Sequence, residues 1–350
     1  MVKRFVFAVP GDLATPTGGY AYDRRMIAEL QELGWQIDVV DLGAGFPWAD
    51  DKTRATAQAR LLMVPLGGII VADGLALGVL PEAARRLRAD HVLVALVHHP
   101  LALESGLTAG QADILRASER AALAAAKHAI VTSAATARQL AEDYGLAPDK
   151  ITVARPGSDA APAAPGSTDG IVRLLSVGAI VPRKGFDVLI AALATHAALP
   201  WRLTIAGDRT RDPQAAAQLD ADIARHKLGA RVTLLGAVSP ERLSQLYSEA
   251  DLFVLASRYE GYGMAYAEAI AHGLPVIGSK AGAIPDTVPA GAGLLVAPDD
   301  VGALAQALGR LIGDAEERKA MMAAAQAAAR ELPSWRQSAE IFARALAALA

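Results

Sequence analysis

The chain has 350 residues, 53% of them apolar but only 5% aromatic, with a formal charge of −3 and no cysteine. That length favours two domains over one, and the weak net charge gives no electrostatic reason to expect nucleic acid as a partner. Without cysteine there are no disulfides, no thiolate metal sites and no cysteine nucleophile.

A core poor in aromatics must be built from Ala, Val, Leu and Ile, as in helices packed on buried parallel strands. The opening "RFVFAV" is too short an apolar run for a signal peptide and reads as a first strand. It leads through "PGDLATPTGG" into the helical pattern "YAYDRRMIAELQELG". The short apolar runs "QIDVVDL", "GIIVADG", "HVLVALVHH", "HAIVTS" and "ITVARPG" follow. Beyond residue 170 come "VRLLSVG", "WRLTIAG", "RVTLLG", "DLFVLAS", "PVIGS" and "GLLVAP". Nearly all end in Gly, Ser, Asp, His or Pro, the pattern of parallel strands buried on both faces. Between them lie alanine-rich segments of helical period, such as "GALAQALGRLIGDAEERKAMMAAAQAAARE". This alternation predicts an α/β protein of two Rossmann-like, doubly wound domains whose parallel sheets face each other across a cleft. The expected bounds are 1–160 for the first domain and 171–335 for the second. The Pro-, Gly- and Ser-rich segment 161–170 should link them, and a C-terminal helix, 336–350, should pack back on the first domain. No uninterrupted apolar run reaches 18 residues, so no transmembrane helix is expected and a cytoplasmic location is the default.

Four strand ends carry unusual chemistry. Gly18 and Gly19 stand just ahead of the first helical pattern, where they let a ligand approach the backbone and the N–H groups of a helix start; the same residues also suit a plain turn and cap. The strict G-x-G-x-x-G spacing is absent, which weakens the case for a nicotinamide or flavin enzyme. "VALVHHPLALE" ends a strand with two histidines, of which His98 is the one at the tip, able to act as acid, base or donor; Glu104 is a candidate acceptor contact. Arg183 and Lys184, between Pro182 and Gly185 in "SVGAIVPRKGFDVL", are placed to bind a diphosphate, Arg as a fork and Lys as a point charge. In "SRYEGYGMAYAEAIAHGLPV", residues 257–276, Glu260 precedes a Gly-Tyr-Gly turn and Glu268 lies about a turn inside a helix that Gly273 stops. Carboxylates for hydroxyl groups and amides for phosphate together suit a sugar joined to a nucleoside diphosphate.

The stretch from Ser257 to Asp286 resembles the E-x7-E region of retaining family 4 glycosyltransferases of GT-B fold. "VGAIVPRKGFDVLIAAL" resembles their donor-phosphate loop and "ATPTGGYAYDRRMIAEL" their N-terminal glycine loop, in the family's order and over essentially the whole chain. The resemblance implies a hexosyltransferase that moves a sugar from a nucleoside-diphosphate sugar to a hydroxyl of a sugar, lipid or small-molecule acceptor, with anomeric configuration retained. On that basis Arg183 and Lys184 neutralise the donor diphosphate and Glu268 binds the ribose hydroxyls. Glu260 and the backbone of Gly261, Tyr262, Gly263 and Met264 hold the donor sugar. Gly178 opens the donor-phosphate loop, Gly18 and Gly19 approach the phosphate, and Ala237 and Val238 contact the base. His98 matches the family's acceptor-side histidine, which makes the first domain the acceptor side. The family commonly has Phe where Tyr262 stands, and Glu where Asp286 stands.

No metal or other cofactor is implied, since Arg183 and Lys184 take a cation's place. The single D-x-D, Asp220 and Asp222, falls in a helical pattern and reads as a solvated face. Arg85, Arg86 and Arg88 form a weak patch for peripheral contact with anionic lipid, or a solvated helix face. A sugar-nucleotide 2-epimerase or a phosphorylase of the same fold, and a catalytically inactive scaffold subunit, are the competing readings. Exchanging both Arg183 and Lys184 for Ala is expected to abolish diphosphate binding with little change in unliganded stability.

Overall fold

The computed structural model describes residues 3–104 and 106–349. The chain forms two compact units, Met1–Gly157 with Pro333–Ala350, and Ser158–Leu332.

In the first unit the strands are β1 (Arg4–Val9), β2 (Gln36–Asp41), β3 (Ile69–Asp73), β4 (Val92–Val97), β5 (His128–Val131) and β6 (Ile151–Val153). They pair in parallel in the order β2-β1-β3-β4-β5-β6. The crossovers carry helices α1 (Gly18–Glu32), α2 (Asp51–Leu62), α3 (Gly74–Leu77), α4 (Pro81–Asp90), α5 (Ala109–Ala125) and α6 (Ala134–Tyr144). Every residue of β3 is buried, as an inner strand covered on both faces requires. The edge strand β2 has no buried residue.

In the second unit β7 (Val172–Val177), β8 (Trp201–Ala206), β9 (Val232–Gly236), β10 (Leu252–Val254), β11 (Val276–Ser279) and β12 (Gly293–Val296) form a parallel sheet in the order β12-β11-β10-β7-β8-β9. Its helices are α7 (Phe186–Ala194), α8 (Pro213–Arg225), α9 (Pro240–Glu249), α10 (Met264–Ala271), α11 (Ile284–Thr287), α12 (Val301–Gly313) and α13 (Ala315–Ala329). The long alanine-rich pattern near the C-terminus thus divides in two, because Asp314 turns its carboxylate onto the N–H groups of Glu316 and Glu317 and starts a new helix. In both sheets the strand order reverses once, between β1 and β3 and between β7 and β10. Ligands of open α/β sheets bind at the carboxyl ends of strands flanking such a reversal.

Residues 161–170 do not hang free. Ala164 is buried in the second unit's core and its N–H donates to His272 O at 2.8 Å. Ser167 Oγ donates to Asp251 Oδ2 at 2.7 Å. The segment expected as a linker therefore packs as part of the second unit, held by groups that composition alone did not show.

The last helix, α14 (Trp335–Ala347), belongs to the first unit and lies against α1 and β6. Ser334 and Gln337 close a capping box at its start. Its buried face presents Trp335, Phe342 and Leu346. No helix among the described residues is long and apolar enough to cross a membrane. Phe342 is fully buried, so Phe342→Ala should lower the unfolding free energy by about 3–5 kcal/mol, read by chemical denaturation.

Candidate functional site

The loops leaving β7 and β10 are stitched together at the second sheet's reversal point. Arg258 N donates to Arg183 O at 2.8 Å. The Arg258 guanidinium reaches Asp187 Oδ2 and Asp299 Oδ1, each at 2.7 Å. Between the two loops Gly185 holds φ at +64°, and a Cβ there would stand 2.0 Å from Ala256 O. Only glycine allows that approach.

This stitching brings together residues 76 and 77 positions apart. Lys184 Nζ donates to Glu260 Oε1 at 2.6 Å and Arg183 to Glu260 Oε2 at 3.2 Å. Ser257 Oγ donates to Oε1 at 2.6 Å, and Arg183 also donates to Tyr259 O at 2.8 Å. Lys184 and Glu260 side chains are only 14% and 9% exposed, so the pair is largely out of water. Burial pushes the Glu260 carboxyl up, but Lys184 and Arg183, with the Lys184 and Ser257 hydrogen bonds, outweigh it and hold it at about 2. Lys184 is drawn down, by burial first and by Arg183 and Arg211, against the pull of Glu260.

The carboxylate is fixed from behind. Ala283 N donates to Glu260 O at 2.9 Å, and a Cβ on Gly282 would lie 2.2 Å from the same oxygen. The "AGAIPD" segment thus sets the backbone of Glu260. Asp286 sits exposed in the one-turn helix α11 of that segment.

Glu268 projects from the second turn of α10 and accepts from Tyr247 OH at 2.8 Å. Burial raises its carboxyl to about 7, with Asp159 adding to the rise and Tyr247 and Lys184 opposing it. Lys184 therefore acts on both glutamates. Gly263 caps α10 in the left-handed region, at φ +91°, and no side chain caps that helix start. Tyr262 is buried, its carbonyl accepting from Thr287 Oγ1 at 2.5 Å; Gly261 and Met264 are half-buried. At Gly178 a Cβ would come within 3.1 Å of Lys184 Cε, so this glycine leaves room for the lysine stem. Ala237 and half-buried Val238 follow the edge strand β9, two strands from β7 on the same edge of the sheet.

In the first unit Gly18 and Gly19 are the opening residues of α1, capped by Thr17, which accepts from Tyr20 N at 3.2 Å. Gly19 lies against the His98 ring, where an added Cβ would meet Cδ2 at 3.4 Å. His98 directly follows β4, and its Nε2 is 3.1 Å from Asp23 Oδ1 and 3.6 Å from Asp73 Oδ2. His99 turns instead to Glu104, at 3.1 Å. Asp23, Asp73 and His98 form the one grouping among the described residues whose ligand atoms lie close enough for a metal ion. The ring and Asp23 already stand at hydrogen-bond distance, which needs a proton and no ion. Asp220 and Asp222 on α8 part to separate partners, Arg209 and Arg225. Arg85, Arg86 and Arg88 lie exposed on α4, Arg85 paired with Glu82.

Ser257, Tyr247, Gly282, Asp23 and Asp73 escaped the sequence reading. Ser257, three residues before Glu260, was within reach of it. Tyr247 and Asp23 gave no signal, because their partners are set by helix packing.

Comparison with known proteins agrees with this geometry. Residues 159–328 match the family model "Glycosyl transferases group 1", and residues 69–161 match "Glycosyltransferase Family 4". Among curated relatives, the D-inositol 3-phosphate glycosyltransferase of Nocardia farcinica is 34% identical, over 73% of this chain and 61% of its own length. The MMP alpha-(1->4)-mannosyltransferase of Mycolicibacterium hassiacum is 28% identical, over 94% and 84%. The chain thus spans about three fifths of the first of these relatives. Among solved structures, sucrose-phosphate synthase from Thermosynechococcus elongatus superposes with a TM-score of 0.81 at 22% identity, over 99% of both chains. HepE of Anabaena, in complex with UDP and glucose, gives 0.76 at 20% identity, over 98% and 99%. The fold is that of the GT-B glycosyltransferases, and the chain belongs to the group 1, family 4 glycosyltransferases.

The contacts revise the expected effect of removing the cations. Lys184→Ala leaves a buried carboxylate short of charge, so unliganded stability should fall by about 3 kcal/mol. Adding Glu260→Gln should recover part of that loss in a double-mutant cycle by denaturant unfolding. Glu268 has the opposite sign. Its folded value lies above the ordinary 4.5, so its stabilising contribution is full below about pH 4.5 and is lost as pH rises through about 7. Glu268→Gln should therefore melt higher than the parent at pH 8, with the gap closing by pH 4.5.

Proposed function

We propose that the chain is a retaining, metal-independent glycosyltransferase that moves a hexose from a nucleoside-diphosphate sugar to an acceptor hydroxyl. The observation that carries this reading is the buried Lys184–Glu260–Arg183 cluster at the reversal point of the second sheet. Two cations, Lys184 and Arg183, meet at one carboxylate and are held in place before any ligand arrives. A diphosphate leaving group develops negative charge as its bond to the anomeric carbon breaks, and fixed cations stabilise that charge without reorganising. The acceptor oxygen bonds to the anomeric carbon, and the acceptor proton passes to the departing phosphate oxygen on the same face.

Glu260 fits neither a nucleophile nor a base. With a carboxyl held at about 2 between two cations, it has little affinity for carbon or proton. Its work here is to hold Lys184 and Arg183 in register, and the remaining lone-pair capacity of Oε2 can take one sugar hydroxyl. Glu268, whose ionised form is disfavoured in the unliganded protein, gains two hydroxyl donors when a ribose binds. The backbone from Gly261 to Met264 holds the donor sugar, Gly178, Gly18 and Gly19 admit phosphate, and Ala237 and Val238 contact the base. His98 serves the acceptor side. The relatives named for D-inositol 3-phosphate make a small hydroxylated phosphate ester a first acceptor to try, with sugars and lipid-linked sugars beside it. The exposed arginines of α4 allow at most a weak peripheral contact with anionic lipid, and a cytoplasmic site of action suits the reading.

A thermal-shift panel of nucleoside diphosphates and their sugars tests the donor. A saturating partner at 100 times its Kd stabilises by about 2.7 kcal/mol. The expected result is a shift with one base, lost in Lys184→Ala. Proton NMR of the product should show the donor's anomeric configuration. An inverted product rejects the stereochemistry, and conversion of the sugar nucleotide without acceptor points to an epimerase.

A further inference from the structure

We propose that Asp23, backed by Asp73, is a positioning residue that holds His98 as a cation with Nε2 turned inward and Nδ1 offered outward, making the ring a hydrogen-bond donor to substrate and not a base. The proposal rests on the transferase reading for what the ring does, but not for how it is held.

Asp23 is fully buried on α1, and among the described residues its carboxylate makes no hydrogen bond of regular geometry; the His98 ring nitrogen stands 3.1 Å from its Oδ1. An ionised carboxylate is not tolerated in such a place without opposite charge in contact. The proton could in principle rest on either partner. Asp73 decides it: its Oδ2 stands 3.6 Å from the same Nε2, while its Oδ1 accepts from Leu75 N at 2.7 Å. Two carboxylates converge on one ring nitrogen, so the positive charge is worth more on the ring than the proton is on either acid. Burial alone pulls the ring down, but Asp23 and Asp73 lift it to about 10. Burial lifts Asp23 only to about 6. Between those values the ion pair is the stable form.

Orientation follows from packing. Gly19 covers the Cδ2 and Nε2 side of the ring. Tyr22 meets it edge-on with ring centres 5.4 Å apart. Thr132 Oγ1, beyond the end of β5, donates to His98 O at 3.0 Å and fixes the backbone. Nε2 has no solvent contact, whereas Nδ1 is not among the enclosed atoms, and the side chain keeps 19% exposure. The titratable and charged groups around the ring are Tyr22, Asp23 and Arg24 on α1, Asp73 at the end of β3, and the His99–Glu104 pair on its own loop. Arg24 acts on Asp23 and is the one cation in that set besides the histidines. A ring so held cannot accept an acceptor's proton near neutral pH. It can only donate Nδ1–H to a substrate oxygen.

Ring-nitrogen NMR on protein labelled with 15N-histidine, with His98→Gln to assign the signal, tests this directly. Both His98 nitrogens should stay protonated from pH 6 to 9 in the parent. In Asp23→Asn the ring should titrate at least two pH units lower, and kcat/KM for sugar transfer should then fall about tenfold per pH unit above that new value. Asp23→Glu should restore the flat profile, and Asp73→Asn should give a smaller displacement in the same direction. A parent His98 that titrates near 6.5, or one whose titration Asp23→Asn and Asp73→Asn leave unmoved, overturns the proposal. The NMR result stands whether or not the protein transfers sugar, so failure of the transferase reading would appear separately, as absence of product with the parent.

Discussion

The second unit is organised around a carboxylate shared by two cations out of water. Removing Arg183, Lys184 and Glu260 from solvent is costly, and the cost is offset only while all three stay in contact and their remaining hydrogen bonds are made. Ser257, the Tyr259 carbonyl and the Ala283 N–H supply or steady those bonds. The Arg258 bridge to Asp187 and Asp299 and the side-chain-free Gly185 then keep the two loops at the needed separation. The two cations are thereby held at the strand ends where such sheets take their ligands.

The first unit solves the mirror problem. Around His98 the carboxylates are in excess, two against one ring, and the histidine is charged because of them. Both centres sit beyond the carboxyl ends of strands beside a reversal in strand order, and both are built from a loop residue and groups on neighbouring elements. In each, burial works against the charged form and a partner at about 3 Å overrules it. Charge at these sites is therefore a property of the fold, not of the residue type. Glu260 and Glu268 make the same point within one short stretch: one is held near 2 by cations, the other raised to about 7 by burial against a tyrosine.

Much of this could be read along the chain. Each of the twelve apolar runs is a strand of the structure, because inner parallel strands must be apolar on both faces and end where the chain turns. Asp220 and Asp222 do lie on the helix α8, but only Asp220 is on a solvated face; Asp222 is buried, which composition and spacing did not show. What stayed hidden depends on packing. The segment 161–170 has the composition of a tether, yet Ala164 and Ser167 find partners more than 80 residues away. The alanine-rich run near the C-terminus looks continuous, and only the cap at Asp314 divides it. The stability role of Lys184 was missed because a basic pair on a loop looks solvated until Glu260 closes over it.

The amino-acid order alone determined the strand-and-helix alternation, the two-unit organisation and the identity of the chemically distinctive residues, since periodicity and turn residues are local properties. Tertiary structure decided what those residues are. It paired Glu260 with Lys184 and Arg183, set Tyr247 against Glu268, and turned Asp23 and Asp73 onto His98. Protonation and orientation are fixed by neighbours a few ångströms away in space, and those neighbours lie tens of positions away in the chain.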